Sequence, residues 1–259
     1  MLILFIGDIV GKPGRAATAA FVPELRAAYG LDLVVANGEN AAGGLGATPD
    51  VVKEIQRSGV DVITLGNHAW RKKELVRGID ALGGIVRPAN FPDGAPGVGG
   101  RCVETADGVK VGVVNLLGRV FMDPLECPFR AGRSEVERLR AETPVILVDM
   151  HAEATAEKVA LGRYLDGMCS AVVGTHTHVA TADERILKGG AAYITDVGMT
   201  GPLESVIGVE EGPVIRRFLS GLPEQFVVAG GPALFSAVLI EVDASTGQAR
   251  RIERISRTL

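Results

Sequence analysis

Side chains that can bind metal ions follow short apolar runs throughout this chain. Asp8 comes directly after the first run, and the segment NGEN at residues 37 to 40 follows the second. All four histidines also follow such runs. The donor set comprises Asp8, Glu39, Asn40, Asn67, His151, His176 and His178. Its mixture of oxygen and nitrogen donors suits iron, manganese or zinc better than calcium, which prefers oxygen ligands alone.

The segment GTHTH holds two of these histidines one residue apart. In an extended segment, His176 and His178 would project to the same side, so both imidazoles could reach one site. A single histidine in a turn is more often a hydrogen-bonded core residue than a ligand, and for His151 both interpretations stay open. Asp8 could likewise be a turn former, and NGEN an asparagine-rich turn. The combination of donors is what favours a metal site.

The glycine-rich loop GDIVGKPG does not fit two common nucleotide-binding motifs. A P-loop needs Ser or Thr directly after GK, whereas Lys12 is followed by Pro13. The loop also lacks the GxGxxG pattern of dinucleotide-binding folds. An SGNH-type esterase would need a nucleophilic serine after the first strand, where this chain has Ile9. Metal-dependent chemistry is therefore the leading interpretation.

The elements that must position these donors alternate between strand and helix. The runs LILFIGD, LVVAN and VITLG predict strands, followed by helices over residues 14 to 28, from about Pro49 and from about Arg71. This alternation is typical of βα units with a largely parallel sheet. Because ligands bind outside the carboxyl ends of the strands in such sheets, we expect the donors to meet there.

The second half of the chain predicts a different arrangement. From about Arg101, the segments RCVETAD and VKVGVVNLLG predict paired strands with a turn at Asp107 and Gly108. Residues 119 to 132 predict a long surface loop that borders the site. The runs PVILVDM, AVVG and AAYITD, a helix from about Ala154 to Asp166 and a closing β-hairpin complete the series. No linker is evident, so we expect one domain over residues 1–259.

Composition excludes several classes of protein. The 259 residues are 47% hydrophobic, with 27 Lys and Arg against 31 Asp and Glu. This composition excludes disorder, collagen and coiled coil, and the absence of a long basic run argues against long nucleic acid as a partner. No apolar run predicts a membrane span, and MLILFIGDIV lacks the features of a signal peptide. Three scattered cysteines fit a reducing cytoplasm, and a homo-oligomer stays open.

The order of the motifs resembles the calcineurin-like metallophosphoesterase superfamily, and more closely its YmdB-like bacterial branch. The similarity runs through FIGDIVGKPGR, ANGENAAGG, ITLGNHAW, VDMHAEATAEK, VGTHTHVATAD and YITDVGMTG. The sequence departs from the superfamily twice. Val10 stands where the usual DxH motif has its second ligand, and Glu39 replaces the usual bridging aspartate. The resemblance implies an α/β fold, a four-layer αββα sandwich with mixed sheets.

The resemblance also implies a site with two divalent metal ions: iron first, manganese next, zinc as a third option. It implies one ion among Asp8, Glu39, Asn40 and His178, with Glu39 bridging to a second ion among Asn67, His151 and His176. The positive charge of the two ions exceeds the negative charge of Asp8, Glu39 and a bridging hydroxide. The site therefore keeps a net positive charge, which suits a singly charged phosphodiester.

The implied reaction is hydrolysis of small phosphodiesters such as 2',3'-cyclic nucleotides. It would proceed by in-line attack of the bridging hydroxide, with His68 as general acid. The alternative role for His68 is hydrogen bonding around the metal ligands. The alternative function is a metal-dependent regulator that binds a nucleotide and hydrolyses it slowly or incidentally.

Overall fold

The computed structural model describes residues 1–259, which form fourteen strands and six α-helices. The helices are α1 Gly11–Tyr29, α2 Pro49–Arg57, α3 Lys73–Gly78, α4 Pro128–Arg140, α5 Thr155–Leu165 and α6 Glu211–Ser220. The strands are β1 Leu2–Ile6, β2 Asp8–Ile9, β3 Leu33–Asn37, β4 Val62–Thr64, β5 Ile85–Val86, β6 Gly100–Glu104, β7 Lys110–Leu117, β8 Ile146–His151, β9 Ala171–Thr175, β10 Arg185–Ile186, β11 Ala192–Ile194, β12 Met199–Pro202, β13 Ala233–Val242 and β14 Ala249–Thr258.

The strands form two mixed sheets. The first has the order β2-β12-β13-β1-β3-β4-β5, and β14 also pairs with β13. Within it, β1, β3, β4 and β5 run parallel, whereas β13 is antiparallel to β1. The second sheet has the order β10-β11-β9-β8-β7-β6, with β7, β8, β9 and β11 parallel. The predicted pair of strands after Arg101 is the antiparallel pair β6 and β7, and the predicted closing hairpin is β13 and β14.

Successive residues of the inner strands pack into different cores, because neighbouring side chains in a strand point to opposite faces. In the first sheet, Leu4 packs in a core shared with α1, α2 and α3, and Phe5 packs between the sheets. In the second, Leu147 joins that central core and Val148 packs in a core shared with α4 and α5. Three cores thus separate four layers, which confirms the predicted αββα sandwich.

The helix starts differ from the predicted ones at two places. α1 begins at Gly11 and includes Pro13, because a proline in the first helical turn costs no backbone hydrogen bond. α3 begins two residues after Arg71. The preceding residues form tight turns in which Ala69 N donates to Gly66 O at 3.1 Å and Arg71 N donates to His68 O at 3.0 Å. α2 begins at Pro49 as predicted, and Thr48 Oγ1 accepts from Val51 N at its start.

The prediction of a loop over residues 119 to 132 is wrong in its second part. α4 begins at Pro128, again a proline in a first helical turn, and buries Val136 and Leu139 against the second sheet. The connection between β7 and α4 is therefore the segment 118–127, which we call the β7–α4 loop. None of the six helices has the length and apolarity needed to cross a membrane.

Candidate metal centre

All eight predicted site residues lie where carboxyl ends of parallel strands from both sheets meet. Asp8 follows β1, Glu39 and Asn40 follow β3, Asn67 and His68 follow β4, His151 ends β8, and His176 and His178 follow β9. The first three strands belong to the first sheet and the last two to the second. The site therefore joins the two sheets at one end of the sandwich.

The tightest group of donors surrounds His151. Its Nε2 lies 3.2 Å from Glu39 Oε1, 3.1 Å from Asn67 Oδ1 and 3.0 Å from His176 Nδ1. The possible ligand atoms of Glu39, His151 and His176 all lie within 4.8 Å of one another. Glu39 and His151 are fully buried. Three residues thus direct lone-pair atoms at a common point away from bulk water.

A second group of donors surrounds Asp8. Its buried Oδ1 has no hydrogen-bond partner, although it lies 3.7 Å from His151 Nδ1 and 3.9 Å from His178 Nε2. Its Oδ2 accepts from His176 N at 3.0 Å. A buried carboxylate oxygen without a partner is costly, so this atom fits a cation bound between Asp8 and His178.

Asn40 lies between the two groups. Its Nδ2 donates to Glu39 Oε1 at 3.0 Å and lies 3.2 Å from His178 Nε2, and its Oδ1 lies 2.8 Å from His68 Nδ1. Rotating the amide by half a turn exchanges its oxygen and nitrogen. Asn40 therefore offers an oxygen ligand on the His178 side in the rotated form.

In each histidine of the two groups, one ring nitrogen contacts an oxygen atom outside the set of donors, and the other ring nitrogen faces the donors. His151 Nδ1 lies 2.9 Å from Thr175 Oγ1, His178 Nδ1 lies 2.8 Å from the Ile207 carbonyl oxygen, and His176 Nε2 lies 3.3 Å from Glu153 Oε2. Histidines that bind metal are held in this way, because the outer hydrogen bond fixes the ring and its tautomer. The arrangement fits divalent cations.

The charges of the cluster shift several pKa values. Burial raises the pKa of Glu39, but attraction to His151 and hydrogen bonds from His151 and His68 outweigh this and hold it well below its usual range. Burial lowers the pKa of His151, but Glu39 outweighs this and raises it to about 9. Burial and the charge of His151 lower the pKa of His176 to about 3. Burial raises the pKa of Asp8. Without metal, a proton on His151 therefore balances Glu39.

The prediction of an extended GTHTH segment is wrong. His176 and His178 adopt left-handed backbone conformations with φ values of 100° and 66°, which are unfavourable for residues other than glycine and need support from surrounding structure. Asp196 supplies that support, since its Oδ2 accepts from Thr177 N at 3.2 Å and from Thr177 Oγ1 at 2.7 Å. The two imidazoles contact different parts of the site, His176 beside His151 and His178 beside Asn40.

His68 lies at the edge of the cluster. Its backbone N donates to Glu39 Oε2 at 2.9 Å, and its Nδ1 lies 2.8 Å from Asn40 Oδ1 and 3.2 Å from Glu39 Oε1. Its side chain is 20% exposed, whereas His151 is fully buried. His68 can therefore reach a molecule bound at the cluster and stay anchored to Glu39.

Two buried networks behind the cluster were not predicted from the sequence. In the first, Asp149 Oδ1 accepts from Thr175 Oγ1 at 2.7 Å, and Asp149 Oδ2 accepts from Thr64 Oγ1 at 2.5 Å and from Asn37 Nδ2 at 3.0 Å. Thr175 in turn contacts His151, so this network fixes that ring. Burial raises the pKa of Asp149 to about 6. The position of the charged residue Asp149 inside the apolar run PVILVDM is the sequence feature from which this network could have been predicted.

In the second network, Lys158 Nζ donates to Asp196 Oδ2 at 2.7 Å, and both side chains are 1% exposed. Asp196 Oδ1 also accepts from Gly198 N at 2.8 Å. Because Asp196 holds Thr177, this buried ion pair supports the turn that carries His176 and His178. The aspartate that ends the predicted strand AAYITD was visible in the sequence, but its partner on α5 was not.

The fold and this carboxylate–histidine cluster define a protein of the metallophosphoesterase type. Residues 4–255 match the family of YmdB-like proteins. The chain therefore belongs to the YmdB-like family, which confirms the resemblance inferred from its motifs.

Individual relatives match over nearly the full chain. The 2',3'-cyclic-nucleotide 2'-phosphodiesterase of Bacillus subtilis (strain 168) is 50% identical over 255 residues, or 98% of this chain and 96% of that protein. A solved structure described as a novel phosphatase from Mycoplasma pneumoniae has a TM-score of 0.93 and 35% identity, covering 100% of this chain and 93% of that one. A hypothetical protein from Thermus thermophilus has a TM-score of 0.93 and 43% identity, covering 100% of this chain and 99% of that one.

Proposed function

We propose that this protein is a metal-dependent phosphodiesterase that hydrolyses 2',3'-cyclic nucleotides at the 2' position. The observation that carries this proposal is the convergence of Glu39, Asn67 and His176 on His151 Nε2, beside the unpartnered oxygen of Asp8. The activity named for the Bacillus subtilis relative supports the substrate class, since that relative matches 98% of this chain.

The residues present would hold two divalent ions. We assign Asp8, Glu39, Asn40 and His178 to the first ion and Glu39, Asn67, His151 and His176 to the second. Iron or manganese suits these mixed ligands, and zinc is also compatible. Ions held there would act as Lewis acids toward the phosphoryl oxygens and would make water a better nucleophile at neutral pH.

The reaction adds one water across the bond between phosphorus and the 2' oxygen. A new bond forms between phosphorus and the water oxygen, which gives up one proton to solvent, while the bond to the 2' oxygen breaks and the 2' oxygen gains a proton. His68 can supply that proton. Because His68 Nδ1 lies 3.2 Å from Glu39 Oε1, an acceptor in either orientation of the Asn40 amide, the proton on Nε2 is the one available for transfer.

We further propose that residues 1–259 act as one domain in the cytoplasm. The core between the sheets includes residues from both halves of the chain, such as Phe5 and Ala192, which supports a single folding unit. The thiols of Cys102, Cys127 and Cys169 are free, which suits a reducing compartment.

The identity of the product formed by hydrolysis of adenosine 2',3'-cyclic phosphate tests this function. Metal-free protein loaded with Fe²⁺, Mn²⁺ or Zn²⁺ should release adenosine 3'-phosphate, and chromatography separates it from the 2' isomer. Glu39→Gln should lose this activity together with metal, whereas Glu224→Gln, on the exposed pair with Arg216, should retain both. Release of the 2' isomer would refute the proposed bond cleavage. Binding of the nucleotide by fully loaded protein without turnover would favour a regulatory role.

A further inference from the structure

A cavity of about 420 Å³ lies beside the candidate metal centre. Its walls include Asn67, Trp70, Arg71, Phe91, Asp123 and Leu125. Asn67 belongs to both places, because its Oδ1 lies 3.1 Å from His151 Nε2. A molecule bound at the metal centre therefore has this cavity next to it.

Two aromatic side chains give the cavity its chemical character. The ring centroids of Trp70 and Phe91 are 5.6 Å apart, with an angle of 36° between the ring planes. Both side chains are partly buried and pack against the core shared with α1, α2 and α3, so their positions are held from behind. Rings fixed in this way provide a surface on which a planar aromatic ligand stacks.

The cavity also has charged groups at its walls. Arg71 offers hydrogen-bond donors and Asp123 offers acceptors. Both side chains are exposed to solvent, and a heteroaromatic ring carries acceptors and N–H donors that can pair with them, which a hydrocarbon ring does not. The lining therefore favours a polar, planar ring of the size of a nucleobase.

One turn of the chain couples this cavity to the metal centre. Asn67 and His68 contact the cluster, and Trp70 and Arg71 follow them within the tight turns that precede α3. The position of a ring on Trp70 is therefore tied to the position of a phosphate held beside Asn67. A ligand with both groups would engage both parts of this turn.

The part of the cavity wall that belongs to the β7–α4 loop is held by one buried side chain. Asn90 Nδ2 donates to Leu117 O at 2.8 Å and to Glu126 O at 3.0 Å, and Asn90 Oδ1 accepts from Leu117 N at 2.9 Å. These bonds clamp both ends of the β7–α4 loop, which supplies Asp123 and Leu125. Since Asn90 precedes Phe91 directly, the aromatic wall and the loop wall share one anchor.

We propose that this cavity is the subsite for the nucleobase of the substrate, with Trp70 and Phe91 as the stacking residues. The proposal rests on the proposed function and deepens it, since it assigns a part of the protein to substrate selection. It also gives the β7–α4 loop a role as a wall of the binding site.

Trp70 is the single tryptophan of the chain, so its fluorescence reports on the cavity directly. Titration of the metal-loaded protein with adenosine 3'-phosphate should quench this emission saturably, and Phe91→Leu should weaken the binding measured in this way. Phe218→Leu, on the exposed surface of α6, is the matched control and should bind as the unmodified protein does. Absence of saturable quenching would overturn the proposal.

Kinetic measurements then separate the contribution of the base to substrate recognition from that of the phosphate. The ratio of kcat/KM for adenosine 2',3'-cyclic phosphate to that for the cyclic phosphate of methyl riboside, which has no base, should fall about tenfold or more in Trp70→Leu and Phe91→Leu. An unchanged ratio in both variants would overturn the subsite and leave the proposed function intact. If loaded protein hydrolyses neither substrate, the proposed function fails, and the fluorescence titration alone decides on the ring site.

Discussion

Glu39 Oε1 lies 3.2 Å from His151 Nε2. Glu39 follows β3 of the first sheet, and His151 ends β8 of the second. The candidate metal centre is thus a contact between the halves of the sandwich as well as a reactive site. A cation bound there would hold together two elements that otherwise meet through packing, hydrogen bonds and the pair of Glu39 with protonated His151.

Metal loading should therefore stabilise the folded protein. At a free metal concentration about a hundred times Kd, each of the two ions adds about 2.7 kcal/mol to the free energy of unfolding. For a chain of this size, that corresponds to a rise in Tm of about 5–10 °C for each ion. Differential scanning calorimetry of chelated and reloaded protein measures it. Equal Tm values at full loading would contradict the assignment of buried ligands from both sheets.

His68→Ala should separate chemistry from metal binding. Loss of a general acid lowers kcat about 10²–10⁴-fold, while the bound metal stays because His68 is not among the assigned ligands. His178→Ala is the matched comparison and should lose metal. Elemental analysis of both purified variants, together with their turnover, gives the result. If His68→Ala loses as much metal as His178→Ala, His68 is a structural ligand.

Metal affinity should increase with pH up to about 9. The pKa of His151 in the metal-free protein is about 9, so at neutral pH a metal ion must displace the proton from this ring. His176, with a pKa of about 3, holds no proton to displace. Calorimetric titration at pH 7 in buffers of different ionisation enthalpy should show release of about one proton, with affinity falling about tenfold per pH unit below 9. Affinity independent of pH between 6 and 8 would rule out this role for His151.

Lys158→Met should destabilise the protein strongly, because it leaves Asp196 buried without its counter-charge. Breaking a buried ion pair costs about 3–5 kcal/mol, and urea unfolding measures the loss. The double variant Lys158→Met with Asp196→Asn should be less destabilised than the sum of the single variants. Additive effects would show that the two residues do not interact. Weakened metal binding in Lys158→Met would show that the ion pair with Asp196 also holds the turn that carries His176 and His178.

The strand ends of this fold are visible in the sequence because glycine, asparagine and aspartate interrupt apolar runs there. For that reason, the donors after β1, β3 and β9 could be predicted to meet at one edge. The layer order, by contrast, came from the motif resemblance, since periodicity alone does not reveal how two sheets stack. The start of α4 was hidden because Pro128 and Gly132, both inside the helix, are residue types typical of loops.

Long-range contacts account for what the sequence did not reveal. The left-handed conformations of His176 and His178 depend on hydrogen bonds to Asp8, 168 residues away from His176, and to Asp196, which follows the neighbouring strand β11 of the same sheet. The buried pair of Lys158 with Asp196 is invisible for the same reason. The aromatic cavity is built from three separated segments, so no local pattern could indicate it.

Metal-dependent hydrolysis of phosphodiesters is the activity on which the other assignments depend. Its most direct test compares bis(p-nitrophenyl) phosphate with p-nitrophenyl phosphate, using protein of measured metal content loaded with manganese or iron and the same protein after chelation. We predict hydrolysis of the diester by loaded protein, little hydrolysis of the monoester, and loss of diesterase activity on chelation that metal restores. Absence of diesterase activity in fully loaded protein, or activity that survives removal of the metal, would contradict the assignment.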